Sequence, residues 1–129
     1  MPFYNIDTMA SSEDTLGPAK RMVAGEFIKI GIVEYGTGEG PDPHFHPNEE
    51  QFILMLSGTV NFVLGEETKL IGKGDLVHIP RGVDHGLKVV DAPAVFFACK
   101  SPVGDGKLSQ DYNQAQNLDT LKSRLAQVE

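Results

Sequence analysis

Three of the four histidines of this 129-residue chain have a spacing that suits a metal site: His44 and His46, with one residue between them, and His85 in a second segment. Two residues with one residue between them on an extended strand point to the same side, because a strand alternates its faces with a period of two. A histidine from a neighbouring strand can then join the pair. Neutral imidazole is the commonest protein ligand of first-row metal ions. The spacing therefore predicts a site for one divalent ion, held by His44, His46 and His85.

Glycine and proline residues recur at fixed distances around these histidines. The first segment has the form Gly38-x5-His44-x-His46-x4-Gln51-x6-Gly58, and the second has the form Gly74-x5-Pro80-x-Gly82-x2-His85. Both segments resemble the paired motifs of the cupin superfamily, G-x5-H-x-H-x3-4-E-x6-G and G-x5-P-x-G-x2-H-x3-N. The resemblance covers residues 38–89 closely and, through the spacing of strands, most of residues 26–100. The chain is thus similar to a small single-domain metal-binding cupin.

The chain departs from these motifs at two positions. Gln51 stands where the spacing to Gly58 places the ligand Glu of the first motif, and Val89 stands where the second motif has Asn. The resemblance therefore implies Gln51 as the fourth metal ligand. Three neutral imidazoles and a neutral amide leave the full dipositive charge on the ion, whereas a carboxylate would cancel one unit of it.

Glu50 is the alternative fourth ligand. If the strand that carries His44 ran unbroken to residue 50, Glu50 would share the face of the histidines, because its offset is even. Pro47 and Asn48 argue against such a strand, since proline removes a backbone donor and both residues suit turns. Glu50 is also the candidate for a catalytic base, because the amide of Gln51 cannot accept a proton.

Short apolar stretches separated by turn residues predict an all-β domain. The predicted strands lie at about 27–35, 52–56, 59–64, 68–71, 75–79, 87–90 and 94–100. Such regular spacing of short strands is typical of a sandwich or a barrel. Together with the motifs, it indicates a double-stranded jelly-roll β-barrel. The fourth histidine, His78, falls within one of these strands and is expected to be a surface or hydrogen-bonded residue rather than a ligand.

The predicted barrel, at residues 25–100, is flanked by two segments of different character. Residues 1–24 show little periodicity and are expected to form an N-terminal arm, and residues 101–129 a C-terminal loop and amphipathic helix. In that helix the apolar residues recur at steps of three or four, and Asn117 can cap its start. They are Leu118, Leu121, Leu125 and Val128. This stripe must be covered by the barrel or by a second subunit, so we expect a homodimer.

Charge and composition exclude several classes of partner. A net charge of −7 and a pI near 5.0 argue against nucleic acid, which favours basic surfaces. No stretch approaches the roughly 20 apolar residues that a membrane helix needs, and the start of the chain does not resemble a secretory signal. A single cysteine cannot form an internal disulfide. The expected location is therefore the cytoplasm.

Four protein ligands would leave one or two positions on a five- or six-coordinate ion open to water, oxygen or substrate, as in catalytic sites. The resemblance to cupins implies dioxygenases, isomerases, decarboxylases, lyases and epimerases, as well as non-catalytic domains. The first hypothesis is a metal-dependent enzyme that acts on a small oxygenated or aromatic compound, such as a dioxygenase. The alternative is a non-catalytic module that binds or senses a small molecule. The ligand types fit Fe, Mn, Ni, Zn or Cu alike.

Overall fold

A computed structural model describes residues 3–8, 19–102 and 113–127 of the chain. Within these ranges the chain forms eight strands and one helix. The elements are β1 (Ala19–Ala24), β2 (Lys29–Tyr35), β3 (His44–Phe45), β4 (Glu50–Leu64), β5 (Glu67–Gly72), β6 (Leu76–Ile79), β7 (His85–Ser101), β8 (Asn113–Gln114) and α1 (Leu118–Ala126). No helix in the described ranges is long and apolar enough to cross a membrane.

Strands β4 and β7 are the two long strands of the domain, and each spans two of the predicted short strands. They pair with each other in antiparallel fashion along most of their length. The predicted turn at Gly58 is a bulge in β4, with a φ of 76° at that glycine and shifts of register around it. Because a bulge adds a residue, it changes which alternate side chains face the interior. Ile53 and Met55 are buried before the bulge, and Val60 and Phe62 after it.

The strand pairings give the jelly-roll topology that the sequence predicts. One path runs in the order β1-β2-β7-β3-β8, and β4 pairs with β5, β6 and β7. Among the described residues these pairings do not close the sheet into a ring. The buried side chains that fill the interior come from β2, β4, β5, β6 and β7. The predicted all-β jelly-roll fold is confirmed, with an open rather than a closed sheet.

The C-terminal helix is confirmed and packs on the outer side of β4. Leu121 and Leu125 are buried there together with Val63 and Ala115. The buried amide of Asn61 donates hydrogen bonds to the carbonyl oxygens of Leu125, at 3.0 Å, and of residue 127, at 3.1 Å. The domain itself therefore covers the apolar stripe. The predicted cap does not form, since the side chain of residue 117 makes no capping hydrogen bond; Val128 lies outside the described residues.

The end of the predicted N-terminal arm forms a strand. The last six residues of the segment predicted as an arm form β1, which pairs antiparallel with β2 and extends the sheet. Residues 9–18, the middle of that segment, lie outside the described residues. Residues 103–112, which belong to the predicted C-terminal loop and helix segment at 101–129, also lie outside them, and β8 after these residues pairs with β3.

Candidate metal centre

The backbone brings the two histidine segments together at the start of β3 and β7. His44 and His85 are direct cross-strand partners, so their side chains point to the same side of the sheet. His46 follows two positions later and keeps that side. The close approach of the two segments favours a glycine at Gly86, since a Cβ there would lie 3.0 Å from the backbone of Pro43. The three histidines therefore converge, as predicted, because the pairing of β3 with β7 places His44 directly opposite His85.

The three imidazoles form one compact, buried cluster. Each of His44, His46 and His85 is at most 5% exposed. Their candidate ligand atoms all lie within 4.8 Å of one another. The ring centroids are 4.9 Å apart for His44 and His46, 4.3 Å for His44 and His85, and 5.0 Å for His46 and His85. The three groups could thus bind a single metal ion, as the sequence predicts.

Hydrogen bonds to the backbone select the nitrogen that two of the rings offer, those of His44 and His85. The Nδ1 of His44 lies 2.6 Å from the carbonyl oxygen of Asp42, and the Nδ1 of His85 lies 3.0 Å from that of Val83. A carbonyl oxygen can only accept, so Nδ1 must carry the proton in both rings. The lone pair then resides on Nε2. Such bonds fix the tautomer and the ring orientation of metal-binding histidines.

The protonation state of His85 also favours metal binding. Burial lowers the pKa of His85 well below its usual value, and the neighbouring His44 and His46 and the ammonium of Lys100 lower it as well. The hydrogen bond to the carbonyl of Val83 acts in the opposite direction. Because burial dominates, the ring is neutral near pH 7, which is the form that coordinates a metal ion.

Gln51 lies on the inward side of β4 and is 6% exposed. Its amide oxygen is buried and has no hydrogen-bond partner among the described residues. A buried acceptor without a partner costs about 1–3 kcal/mol, and a bound cation would satisfy it. Glu50 lies on the other side of the strand, where its carboxylate contacts His78 Nε2 at 2.8 Å at the surface. Gln51 thus fits the role of fourth ligand, and Glu50 is directed away from the interior.

Glu49 is a buried residue near the site that the sequence did not single out. Its side chain is 1% exposed, and its Oε1 lies 3.7 Å from Nδ1 of His46 and 3.7 Å from Nζ of Lys100. The sequence does contain one indication of this burial. Residues 49 and 51 are two positions apart at the start of β4, so the alternation of a strand turns both to the same side. Lys100 could not be found in this way, because it comes from the far end of β7, where it pairs in register with Gln51.

The fourth ligand can be tested by paired substitutions. Gln51→Ala should weaken binding of Zn²⁺ by about 10- to 100-fold, a lower guide taken from changes in the groups that support metal ligands. Glu50→Ala should leave the affinity nearly unchanged, and it is the matched control for a substitution one residue away. Competition with a chelating indicator gives both dissociation constants. Loss of metal in Glu50→Ala together with retention in Gln51→Ala would show that the fourth ligand was misassigned.

Comparison with known proteins places this site in a family. The family model described as the cupin domain matches residues 31–99, which is more than half of the chain. Germin-like protein 5-1 of Oryza sativa subsp. japonica is 28% identical over an alignment of 124 residues that covers 77% of this chain and 56% of that protein. Quercetin 2,3-dioxygenase of Bacillus subtilis is 29% identical over 65 residues, covering 50% of this chain and 19% of that protein. The chain thus spans less than two thirds of the length of either relative.

Solved structures share the same fold. KdgF from Halomonas sp. has a TM-score of 0.75 and 21% sequence identity, over 81% of this chain and 97% of that one. Oxalate decarboxylase of Bacillus subtilis, an enzyme with Mn(II) centres, has a TM-score of 0.69 and 17% identity, over 85% of this chain and 31% of that one. At these identities the likeness shows the fold alone. Together with the match of the family model to residues 31–99, it establishes that the chain belongs to the cupin family.

Proposed function

We propose that this protein is a metal-dependent enzyme acting on a small oxygenated or aromatic compound, with dioxygenase chemistry as the first activity to test. The observation that carries the proposal is the convergence of three buried histidines, two of them with Nδ1 fixed on backbone carbonyls. The amide oxygen of Gln51, which is buried and has no hydrogen-bond partner among the described residues, is the proposed fourth donor. This donor set fits a first-row divalent ion. Four protein donors leave room for a further ligand on a five- or six-coordinate ion.

A bound ion would act as a Lewis acid on a carbonyl, enol or carboxylate oxygen, and a redox-active ion would also support oxidation. The residues of the chain set the conditions for this chemistry. Three neutral imidazoles and the neutral Gln51 amide cancel none of the charge of the ion, so they favour a negatively charged oxygen ligand.

Relatives support a catalytic role without naming a substrate. The cupin family includes metal-dependent enzymes, and quercetin 2,3-dioxygenase and oxalate decarboxylase are among the proteins that this chain resembles. Because the chain spans 19% and 31% of those proteins, their substrates are not assigned to it. The proposal is therefore confined to the class of chemistry that the donor set supports.

The test combines ligand binding with turnover. Protein reconstituted separately with Fe²⁺, Mn²⁺ and Zn²⁺ is screened by thermal shift against small acids, enols, flavonols and sugars. Compounds that raise the melting temperature are then assayed for turnover and oxygen consumption, with His85→Ala as the control without a complete site. Turnover that requires an intact site supports the enzyme. A ligand response without turnover favours a binding or sensing module, and tightly held Zn²⁺ with no ligand response indicates a purely structural ion.

We also propose that the protein is a homodimer in the cytoplasm. The covered helix stripe no longer argues for a second subunit, but the outer face of β4 and β6 does. Phe52, Leu56 and Leu76 are 42%, 39% and 64% exposed there. In the strand register, Leu54 of β4 is the partner of Leu76. Adjacent apolar side chains of this size on a surface are typical of an interface between proteins.

Light scattering at micromolar concentration is expected to show a dimer. Leu76→Asp should shift the protein to a monomer, because the carboxylate would lose its hydration on this face. Leu70→Asp, at a residue of β5 that is 43% exposed, is the matched control and should leave the dimer intact. A wild-type monomer would contradict the proposal, and so would dissociation of both variants alike.

A further inference from the structure

The carboxylate of Glu49 is buried directly behind one of the histidines. Its side chain is 1% exposed, and its Oε1 lies 3.7 Å from Nδ1 of His46. A buried carboxylate is costly unless positive charge and hydrogen bonds compensate it. Lys100 provides positive charge, with its Nζ 3.7 Å from the same oxygen. The carboxylate thus lies between the imidazole of His46 and the ammonium of Lys100, and the ammonium favours its charged form.

The three imidazoles differ in what faces Nδ1. Backbone carbonyl oxygens accept from His44 and His85, so their supporting groups are neutral. For His46 the group on the Nδ1 side is the carboxylate of Glu49, with its Oε1 at 3.7 Å, a group that can carry a negative charge. A carboxylate behind a metal-binding imidazole fixes the ring and makes Nε2 a stronger donor, and loss of such a group typically lowers metal affinity by roughly 10- to 100-fold.

The charge of the site gives this carboxylate a specific task. The cluster of potential ligand atoms among the described residues consists of three histidines and contains no carboxylate. The residue at the ligand position of β4 is Gln51, which is neutral. A dipositive ion would therefore receive no negative charge from its ligands. Glu49 lies two residues before Gln51, and it places one negative charge on the far side of a ligand instead.

We propose that Glu49 is a positioning residue for His46 and supplies, from behind the imidazole, the negative charge that Gln51 does not bring to the metal ion. Lys100 holds the carboxylate in place from the opposite strand. This inference rests on the metal site of the proposed function. It predicts that the charge of Glu49, rather than its volume, determines how tightly the site holds an ion.

The first measurement is the dissociation constant for Zn²⁺, by competition with a chelating indicator, in the wild type, Glu49→Gln, Glu49→Asp and Glu50→Gln. Glu49→Gln keeps the volume and removes the charge, and it should weaken binding by about 10- to 100-fold. Glu49→Asp keeps the charge but withdraws it by one methylene, so a smaller loss is expected. Glu50→Gln removes the same charge from the surface residue next in sequence and should leave the affinity unchanged.

The second measurement locates the effect at one ring. In the Zn²⁺-loaded protein, long-range ¹H–¹⁵N spectra resolve the nitrogens of each imidazole. The Nδ1 signal of His46 should move in Glu49→Gln, whereas the Nδ1 signals of His44 and His85 should stay, because backbone carbonyls support those rings. A purely structural role for Glu49 would lower the melting temperature of the metal-free protein without this selective change.

Several results would overturn the proposal. An unchanged Zn²⁺ affinity in Glu49→Gln would do so, and an equal loss in Glu50→Gln would show a general effect of net charge. If Glu49→Gln does not fold, Glu49→Asp decides: wild-type affinity together with an unmoved His46 signal rejects the role. Failure of the underlying metal site is distinct, because the wild type would then bind no Zn²⁺ at all.

Discussion

Replacement of His46 or His85 by alanine is expected to empty the metal site. The purified wild-type protein should carry close to one divalent first-row ion per chain, because its three imidazoles converge on a single point. Removal of one of them takes away a direct donor and leaves an incomplete sphere. Loss of a residue that only supports a metal ligand lowers the metal affinity by up to roughly 100-fold. The loss of affinity on removal of a ligand should be larger. Elemental analysis of the purified variants gives the metal content per chain.

His78→Ala is the matched control for this experiment. It removes the remaining histidine, whose ring lies at the surface and contacts Glu50. Its metal content should equal that of the wild type. Unchanged metal content in both His46→Ala and His85→Ala would contradict the assignment of the site, and so would equal depletion in His78→Ala.

Gly58→Ala is expected to cause the largest loss of stability among single substitutions in the motifs. Gly58 has a φ of 76° in the bulge of β4. A side chain there would meet the carbonyl oxygen of Pro93, with the Cα of Ala94 and the carbonyl oxygen of Asp91 both at 2.7 Å. These are backbone atoms of the paired strand β7 and cannot move aside independently. The free energy of unfolding should thus fall by more than the roughly 1–2 kcal/mol of a left-handed alanine, because the two strands must also move apart.

Gly38→Ala separates the two contributions. Gly38 has nearly the same φ, 77°, but nothing lies within 4 Å of the place that its Cβ would occupy. This variant should therefore lose only about 1–2 kcal/mol. Urea unfolding of the metal-free proteins gives both free energies. Equal losses in the two variants would show that the contact with β7 adds no cost.

The sequence predicted the ligand histidines because their positions depend on local rules. The alternation of a strand places His44 and His46 on one side, and the motif spacing adds His85. The choice between Gln51 and Glu50 also depended on local geometry, namely where β4 begins. Since β4 starts at residue 50, alternation turns Gln51 inward and leaves its neighbour at the surface.

Features that depend on distant partners could not be predicted in this way. The burial of Glu49 requires Lys100, which is contributed by another strand about 50 residues later. Strand β1 carries charged residues and a weak pattern, and it forms because β2 offers an edge. The two long strands, β4 and β7, were each predicted as two short ones. In β4 the reason is that the bulge at Gly58 has the same local sequence as a turn. Only the partner strand distinguishes the two cases.

Anomalous X-ray diffraction from crystals of the metal-reconstituted protein would show directly where the ion binds. We expect one strong peak per chain, bonded to Nε2 of His44, His46 and His85 and to the amide oxygen of Gln51. At least one further position on the ion should remain for water or a ligand. A peak elsewhere, coordination through Nδ1, or a Gln51 amide turned away from the ion would contradict this assignment.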